Sequence, residues 1–303
     1  MTTPLLFMLH ERIRAEGPLR LDDFMQLALQ HPEHGYYVHK NAVGAEGDFT
    51  TAPEISQIFG EMVALWLVAE WEAMGKPAPL SLVELGPGQG TLMADIMRTL
   101  RRVAPSLAKA AHVFLIESNQ TLRARQAEKL KDVQPQWIAD LAHLPAQPFM
   151  LVANEFLDAL PVRQFIRQGG GWCEVHVGLK GQELGLLQTP PDAALDQLLG
   201  LTAVVDDTVR EISPMRDAWL RTIADALNAQ GGAALFIDYG DDAFQGHSTL
   251  HAYARHQPVA FTHAPGETDL SADVDFGAAI QTLTHQGLQV SPLQTQAQWL
   301  RQQ

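Results

Sequence analysis

The 303-residue chain is 46% hydrophobic and 18% charged, a composition typical of a globular enzyme and long enough for one large α/β domain or two small ones. Its formal net charge of -14 argues against nucleic acid as a partner, because phosphate recognition needs a basic face. One cysteine, Cys173, excludes an intrachain disulfide framework, and no apolar run reaches the roughly 18 residues of a membrane span.

Residues 1–78 read as a helical cap. The Met1–Leu9 stretch lacks the basic start and small-residue cleavage site of a leader, so a cytoplasmic chain is expected; Leu5, Leu6, Leu9 and Ile13 fall on one helical face. An amphipathic helix follows at Leu21–Gln30, and a long apolar one at Ile55–Met74, ended by Gly75-Lys76-Pro77. A glycine-rich loop, Gly44–Pro53, lies between them.

Residues 79–303 read as a second, α/β domain. Candidate parallel strands are Ser81–Leu85, His112–Glu117, Gln136–Asp140, Phe149–Asn154 and Ala233–Tyr239. Most are short apolar runs ending in polar residues, as buried parallel strands do, and ligands gather at the carboxyl ends of such strands. An insertion of about 162–210 holds a predicted hairpin at 162–187, then a loop and short helix. A helix near Met215–Ala229 leads back to the fifth strand. Beyond Gly240 the pattern gives a strand at Thr249–Tyr253, a polar loop Pro265–Asp275, a helix Phe276–Gln286 and a last strand near Leu288–Val290.

The first strand runs into Glu84-Leu85-Gly86-Pro87-Gly88-Gln89-Gly90. Glycines at alternate positions permit a tight turn and close approach of backbone to a ligand. An acid before the first glycine, with Gly90 one residue earlier than a dinucleotide fingerprint requires, resembles motif I of class I S-adenosylmethionine (SAM) methyltransferases. A dinucleotide turn and an empty strand-to-helix turn are the competing readings.

Glu117 ends the second strand, where a carboxylate can take both ribose hydroxyls of a nucleoside, and Asp140 ends the third, where it could accept from an adenine amine. Past the fourth strand, Asn154, Glu155 and Asp158 place an amide and two acids beside the expected methyl donor. On a helical turn Glu155 and Asp158 would share a face and could hold a guanidinium, or they could simply be exposed acids near a helix cap. Tyr239, at the end of the fifth strand, could stack on a ligand or pack in the core. The twelve histidines are scattered, with no His-Glu-x-x-His and no cysteine partners for His31 and His34, so no metal is expected.

Five blocks then converge on one family: His31-Pro32-Glu33-His34-Gly35-Tyr36-Tyr37, Gly47-Asp48-Phe49-Thr50-Thr51-Ala52-Pro53-Glu54, the Glu84–Gly90 turn, Asn154-Glu155-Phe156-Leu157-Asp158-Ala159-Leu160-Pro161, and Phe236-Ile237-Asp238-Tyr239-Gly240. Together with Pro265–Leu270 and Val274–Phe276 they resemble the MidA-type methyltransferases, whose mitochondrial members assist assembly of respiratory complex I. Asp273 departs from the pattern, standing where a histidine is expected. The resemblance implies a class I methyltransferase fold, a Rossmann-like parallel sheet with a helical cap and an inserted region. It implies SAM as cofactor and a protein substrate with an accessible arginine, in mitochondrial members a complex I subunit. With it, Glu84, Gly86, Gly88 and Gly90 are expected at the cofactor, beside Glu117 and Asp140, whose strand-end places could otherwise make them a solvated strand end and a plain loop carboxylate; Asp48, Phe49, Thr50, Thr51 and Pro53 are expected to fold over the pocket. Glu54 points inward there to join Asn154, Glu155 and Asp158 in catalysis. A SAM-fold assembly factor without chemistry, a small-molecule methyltransferase and a nicotinamide-dependent oxidoreductase are the alternatives.

Overall fold

Five short apolar runs form one parallel sheet, in spatial order Gly232–Ile237, Phe149–Asn154, Leu80–Leu85, Ala111–Ile116, Gln136–Trp137. The arrangement comes from a computed structural model that describes residues 3–39, 52–199, 204–243 and 246–302. Leu80–Leu85, first in sequence, is central and buried throughout. Strand order reverses between it and Phe149–Asn154, and a crevice opens at the carboxyl ends of two strands that diverge in this way.

Alternating strand residues feed opposite faces. Leu82, Val113, Leu115, Met150 and Val152 pack with Leu67, Leu92, Ile96 and Leu100 from the flanking helices Gln57–Ala73 and Thr91–Val103. Val83, Leu85, Phe114, Phe149 and Leu151 pack on the other face with Ile223 of the helix Pro214–Gln230. The helix Gln57–Ala73 starts where the Ser56 hydroxyl accepts from Ile58 N–H (3.2 Å) and ends where Gly75, at φ 81°, lets Lys76 N–H reach back to Trp71 O (2.9 Å).

The chain groups into two compact units. The parallel sheet belongs to Asn41–Leu157, Trp219–Tyr239 and Ile280–Gln303; Met1–Lys40, Asp158–Ala218 and Gly240–Ala279 form the other. This grouping is not consecutive: the 1–78 stretch contributes to both units. In the second unit, the helices Pro4–Glu16 and Leu21–Gln30 bury Leu5, Leu9, Ile13, Phe24 and Met25. The insertion is more than the expected hairpin. Strands Arg163–Gln168, Gly171–Lys180, Glu183–Gln188 and Val209–Ile212 join Leu19–Arg20 in a five-stranded antiparallel sheet. The ten residues of Gly171–Lys180 pair with Arg163–Gln168 along their first half and with Glu183–Gln188 along their second, which a hairpin reading cannot anticipate.

Three further expectations give way. The third strand stops at Trp137, not Asp140; Asp140 instead caps a short 3-10 turn, Leu141–His143. The segment Leu288–Val290 is not a strand: Leu288 N–H closes the preceding helix on Leu283 O (3.2 Å), with Gly287 at φ 83°. Residues 155–160 form turns, not a helix, because Glu155 sits at φ 49°.

Candidate active site

The first strand delivers Glu84 to its carboxyl end, 3% exposed, with Oε2 lacking a hydrogen-bond partner among the described residues. Burial, then the nearby charge of Glu117, raises its acid to about 8, so it is protonated near neutral pH. Gly86, Gly88 and Gly90 follow at φ 59°, 51° and 77°, in the left-handed region that favours glycine. Gly90 is the cap residue of the helix Thr91–Val103, so the turn directs backbone N–H groups at the crevice.

Glu117 stands one residue past Ala111–Ile116. Its Oε1 accepts from Asn119 N–H (2.8 Å) and its Oε2 from Gln126 Nε2 (3.3 Å); burial raises its acid above the ordinary carboxylate range. Ser118 N–H is a third donor to the carboxylate, which leaves acceptor capacity for a further hydroxyl. A buried carboxyl with an orphaned oxygen among the described residues, a bare left-handed turn and a second carboxylate with acceptor capacity left suit a ligand with a cationic amino-acid end and a ribose. Asp140 is exposed, its Oδ1 accepting from Ala142 N–H (3.0 Å) and lying 2.8 Å from His143 Nδ1.

At the other side of the strand switch, Asn154 ends Phe149–Asn154 with its Oδ1 buried and unpartnered among the described residues. Glu155 N–H donates to Ile237 O (2.8 Å), and the left-handed residue is held in place because Leu157 N–H donates to Asp238 Oδ2 (2.8 Å). Strain of this kind at a residue other than glycine persists where surrounding bonds over-determine the backbone. The Glu155 carboxylate accepts from Ala52 N–H and from the Asn154 and Tyr239 side chains, yet burial dominates and raises its acid. The Tyr239 ring is 59% exposed, which excludes core packing. Phe156 packs edge-on against Trp219 (centroids 5.5 Å apart) and would lie 3.1 Å from a Cβ at Gly86, so it walls the glycine turn.

Pro53 is buried and Glu54 partly buried in the helical turn Ala52–Ile55. Asp48, Phe49, Thr50 and Thr51 lie outside the described residues. Residues 155–160 form turns, so no helical face carries Asp158 with Glu155; Asp158 opens the second unit. Within that unit it stands with Tyr37, whose hydroxyl donates to Asp269 Oδ1 (2.7 Å); burial, then the charges of Asp269 and Asp158, push the phenol well up. The His31 Nδ1 accepts from Glu33 and His34 N–H (3.2 Å each), which holds the turn after the helix Leu21–Gln30. Asp273, in the histidine's expected place, pairs with His251 Nε2 (3.0 Å).

Sequence reasoning left Tyr239 undecided and missed Gln126 and Trp137. Gln126 had one visible signal, a glutamine at helical spacing between Leu122 and Leu130 on the buried side of its helix.

The chain matches, over residues 62–293, the model of a family described as "Putative S-adenosyl-L-methionine-dependent methyltransferase". It is 35% identical to the protein arginine methyltransferase NDUFAF7, mitochondrial, of Mus musculus, over 90% of this chain and 68% of that one. Identity to the Danio rerio protein of the same name is 33%, over 98% and 76%. A superfamily protein of Burkholderia thailandensis, crystallised bound to S-adenosyl-homocysteine, matches with a TM-score of 0.82 at 25% identity, covering 95% of this chain and 79% of that one.

Proposed function

The chain belongs to the S-adenosyl-L-methionine-dependent methyltransferase family, and from that premise we propose that it transfers the methyl group to an arginine side chain of a protein substrate. S-adenosyl-L-methionine is the cofactor, and its sulfonium supplies an activated methyl with a neutral leaving group. The chain's own work is to bind, orient and exclude water. Glu84 and the Gly86–Gly90 turn would take the amino-acid end, and Glu117 the ribose.

The observation that carries the arginine reading is Glu155: a carboxylate fixed by three donors on a strained turn at the end of the fourth strand. A guanidinium nitrogen is a poor nucleophile while its lone pair is delocalised. A rigid carboxylate that pairs with the far nitrogens draws the positive charge away from the reacting one. It would also fix the direction in which that nitrogen is presented to the methyl donor. Bound there, the cofactor would supply the methyl group to that nitrogen, and Glu155 or solvent would take the proton the methylated nitrogen releases. Asn154 orients Glu155. Glu54 is the proposed accessory acid.

The names of the relatives support the same acceptor; a respiratory complex I subunit, the substrate that the family resemblance of the sequence blocks implies for mitochondrial members, is its most specific form. The test is transfer of labelled methyl from S-adenosyl-L-methionine to arginine-containing proteins and peptides, followed by amino-acid analysis. Label in methylarginine supports the proposal; label confined to another side chain or to small molecules refutes it.

A further inference from the structure

Gln126 lies on the helix Gln120–Lys129 with no solvent exposure and sits among three carboxyl ends of the parallel sheet. Its Nε2 donates to Gly88 O (2.8 Å) in the glycine turn after the first strand. The same nitrogen donates to Glu117 Oε2 (3.3 Å) after the second strand. Its Oε1 accepts from Trp137 Nε1 (2.7 Å) in the third. An indole nitrogen can only donate, so the oxygen of the amide must face Trp137 and both hydrogens must face the cofactor turn and the acid. That orientation satisfies both hydrogens of the amide. The Cγ of Gln126 is also 3.3 Å from where a Cβ at Gly90 would stand, so the side chain backs the turn as well as bonding to it. The helix carrying it is anchored near the same acid: Asn119 Oδ1 caps it by accepting from Thr121 N–H (2.8 Å), and Arg123 Nε donates to Glu117 O (2.7 Å).

We propose that Gln126 is a positioning residue of the cofactor site: its buried amide fixes the Gly86–Gly90 turn and the Glu117 carboxylate relative to each other, so that the amino-acid and ribose ends of S-adenosyl-L-methionine are gripped together. Gln126 acts through Gly88 and Glu117. Without the amide, the Gly88 carbonyl and one Glu117 oxygen would lose their donor in a buried place, and the turn would be free to shift against the acid. Trp137 acts at one further remove, by holding the amide the right way round.

Isothermal titration with S-adenosylhomocysteine tests this without an acceptor. Gln126→Met, similar in length and without an amide, should weaken binding about 10- to 100-fold, the size of losing donors to a charged group. Trp137→Phe, which leaves Gln126 in place and frees its orientation, should weaken it about 3- to 10-fold. Gln126→Glu supplies a readout that a packing role would not move. Ionised, the new carboxyl faces Glu117 and the Gly88 carbonyl with no hydrogen to give; protonated, it regains a donor. With Glu117, Glu84 and Arg123 as the titrating or charged groups around it, its deficit relative to the unaltered protein should shrink at least ~5-fold between about pH 8 and pH 6. A folded Gln126→Met within about twofold of the unaltered affinity overturns the proposal. If that variant does not fold, the other two decide: a pH-independent Gln126→Glu deficit, or undiminished binding by Trp137→Phe, overturns it equally.

Discussion

The most informative perturbation is Glu84→Gln, because the buried acid at the end of the first strand makes opposite demands on the empty and the filled site. Glu84 would lose its proton near 4.5 when unfolded and at about 8 when folded. Between those values the folded state holds one proton more than the unfolded chain. Stability therefore falls as pH rises through this window, and the contribution is fully present only below the unfolded value. The interval between 4.5 and about 8, at about 1.36 kcal/mol per unit, sets an upper bound of about 5 kcal/mol on the loss. Water entering beside the ionised pair with Glu117 would reduce it. Glutamine keeps the shape and removes the titration. In urea unfolding of the ligand-free protein, Glu84→Gln should be within about 1 kcal/mol of the unaltered protein near pH 5 and more stable by about 2–5 kcal/mol near pH 8.5. The same variant should bind S-adenosylhomocysteine more weakly at both values, since a cation no longer finds a carboxylate. A stability difference that stays constant between the two pH values would refute the claim that Glu84 is buried and protonated.

Glu117→Ala should weaken S-adenosylhomocysteine by about 1.5–3 kcal/mol in calorimetry, the worth of hydrogen bonds to a charged group, and a change under about twofold would remove Glu117 from the ribose. Gly60→Ala should destabilise by about 1–3 kcal/mol in the same unfolding assay, because its Cβ would meet the Asp95 Cβ at 2.5 Å where two helices cross; unchanged stability would show that the helices part freely. Glu155→Gln should leave cofactor affinity within about threefold and lower methyl transfer by at least ~100-fold, whereas near-normal turnover would refute the guanidinium clamp. The acid limb of the kcat/KM profile should lie above the ordinary carboxylate range, because burial raises Glu155; Tyr239→Phe, which deletes a donor to the charged form, should move it higher still. An unmoved limb would disconnect Tyr239 from Glu155.

The sequence by itself determined the parallel sheet and the glycine turn. Phe149–Asn154 could be bounded from its residues alone because a strand buried on both faces must be apolar throughout and stop where polarity returns. The glycines were legible because left-handed backbone at alternate positions leaves few other residue types possible. Glu84 and Glu117 followed from their places at strand ends. What the sequence could not determine depends on partners distant along the chain. Only pairing on both edges shows that Gly171–Lys180 lies inside a five-stranded sheet and is not one arm of a hairpin. The turn at Glu155 needs Asp238 and Ile237 to hold a left-handed glutamate, and local propensity at Asn154–Pro161 favours a helix instead. The exposure of Tyr239 and the orphaned oxygen of Glu84 are properties of the packed surroundings. Gln126 is the sharpest case. A lone glutamine on a helix carries no motif, and it gains its place only when the ends of three strands, 38 residues apart at Gly88 and 11 at Trp137, close around one amide.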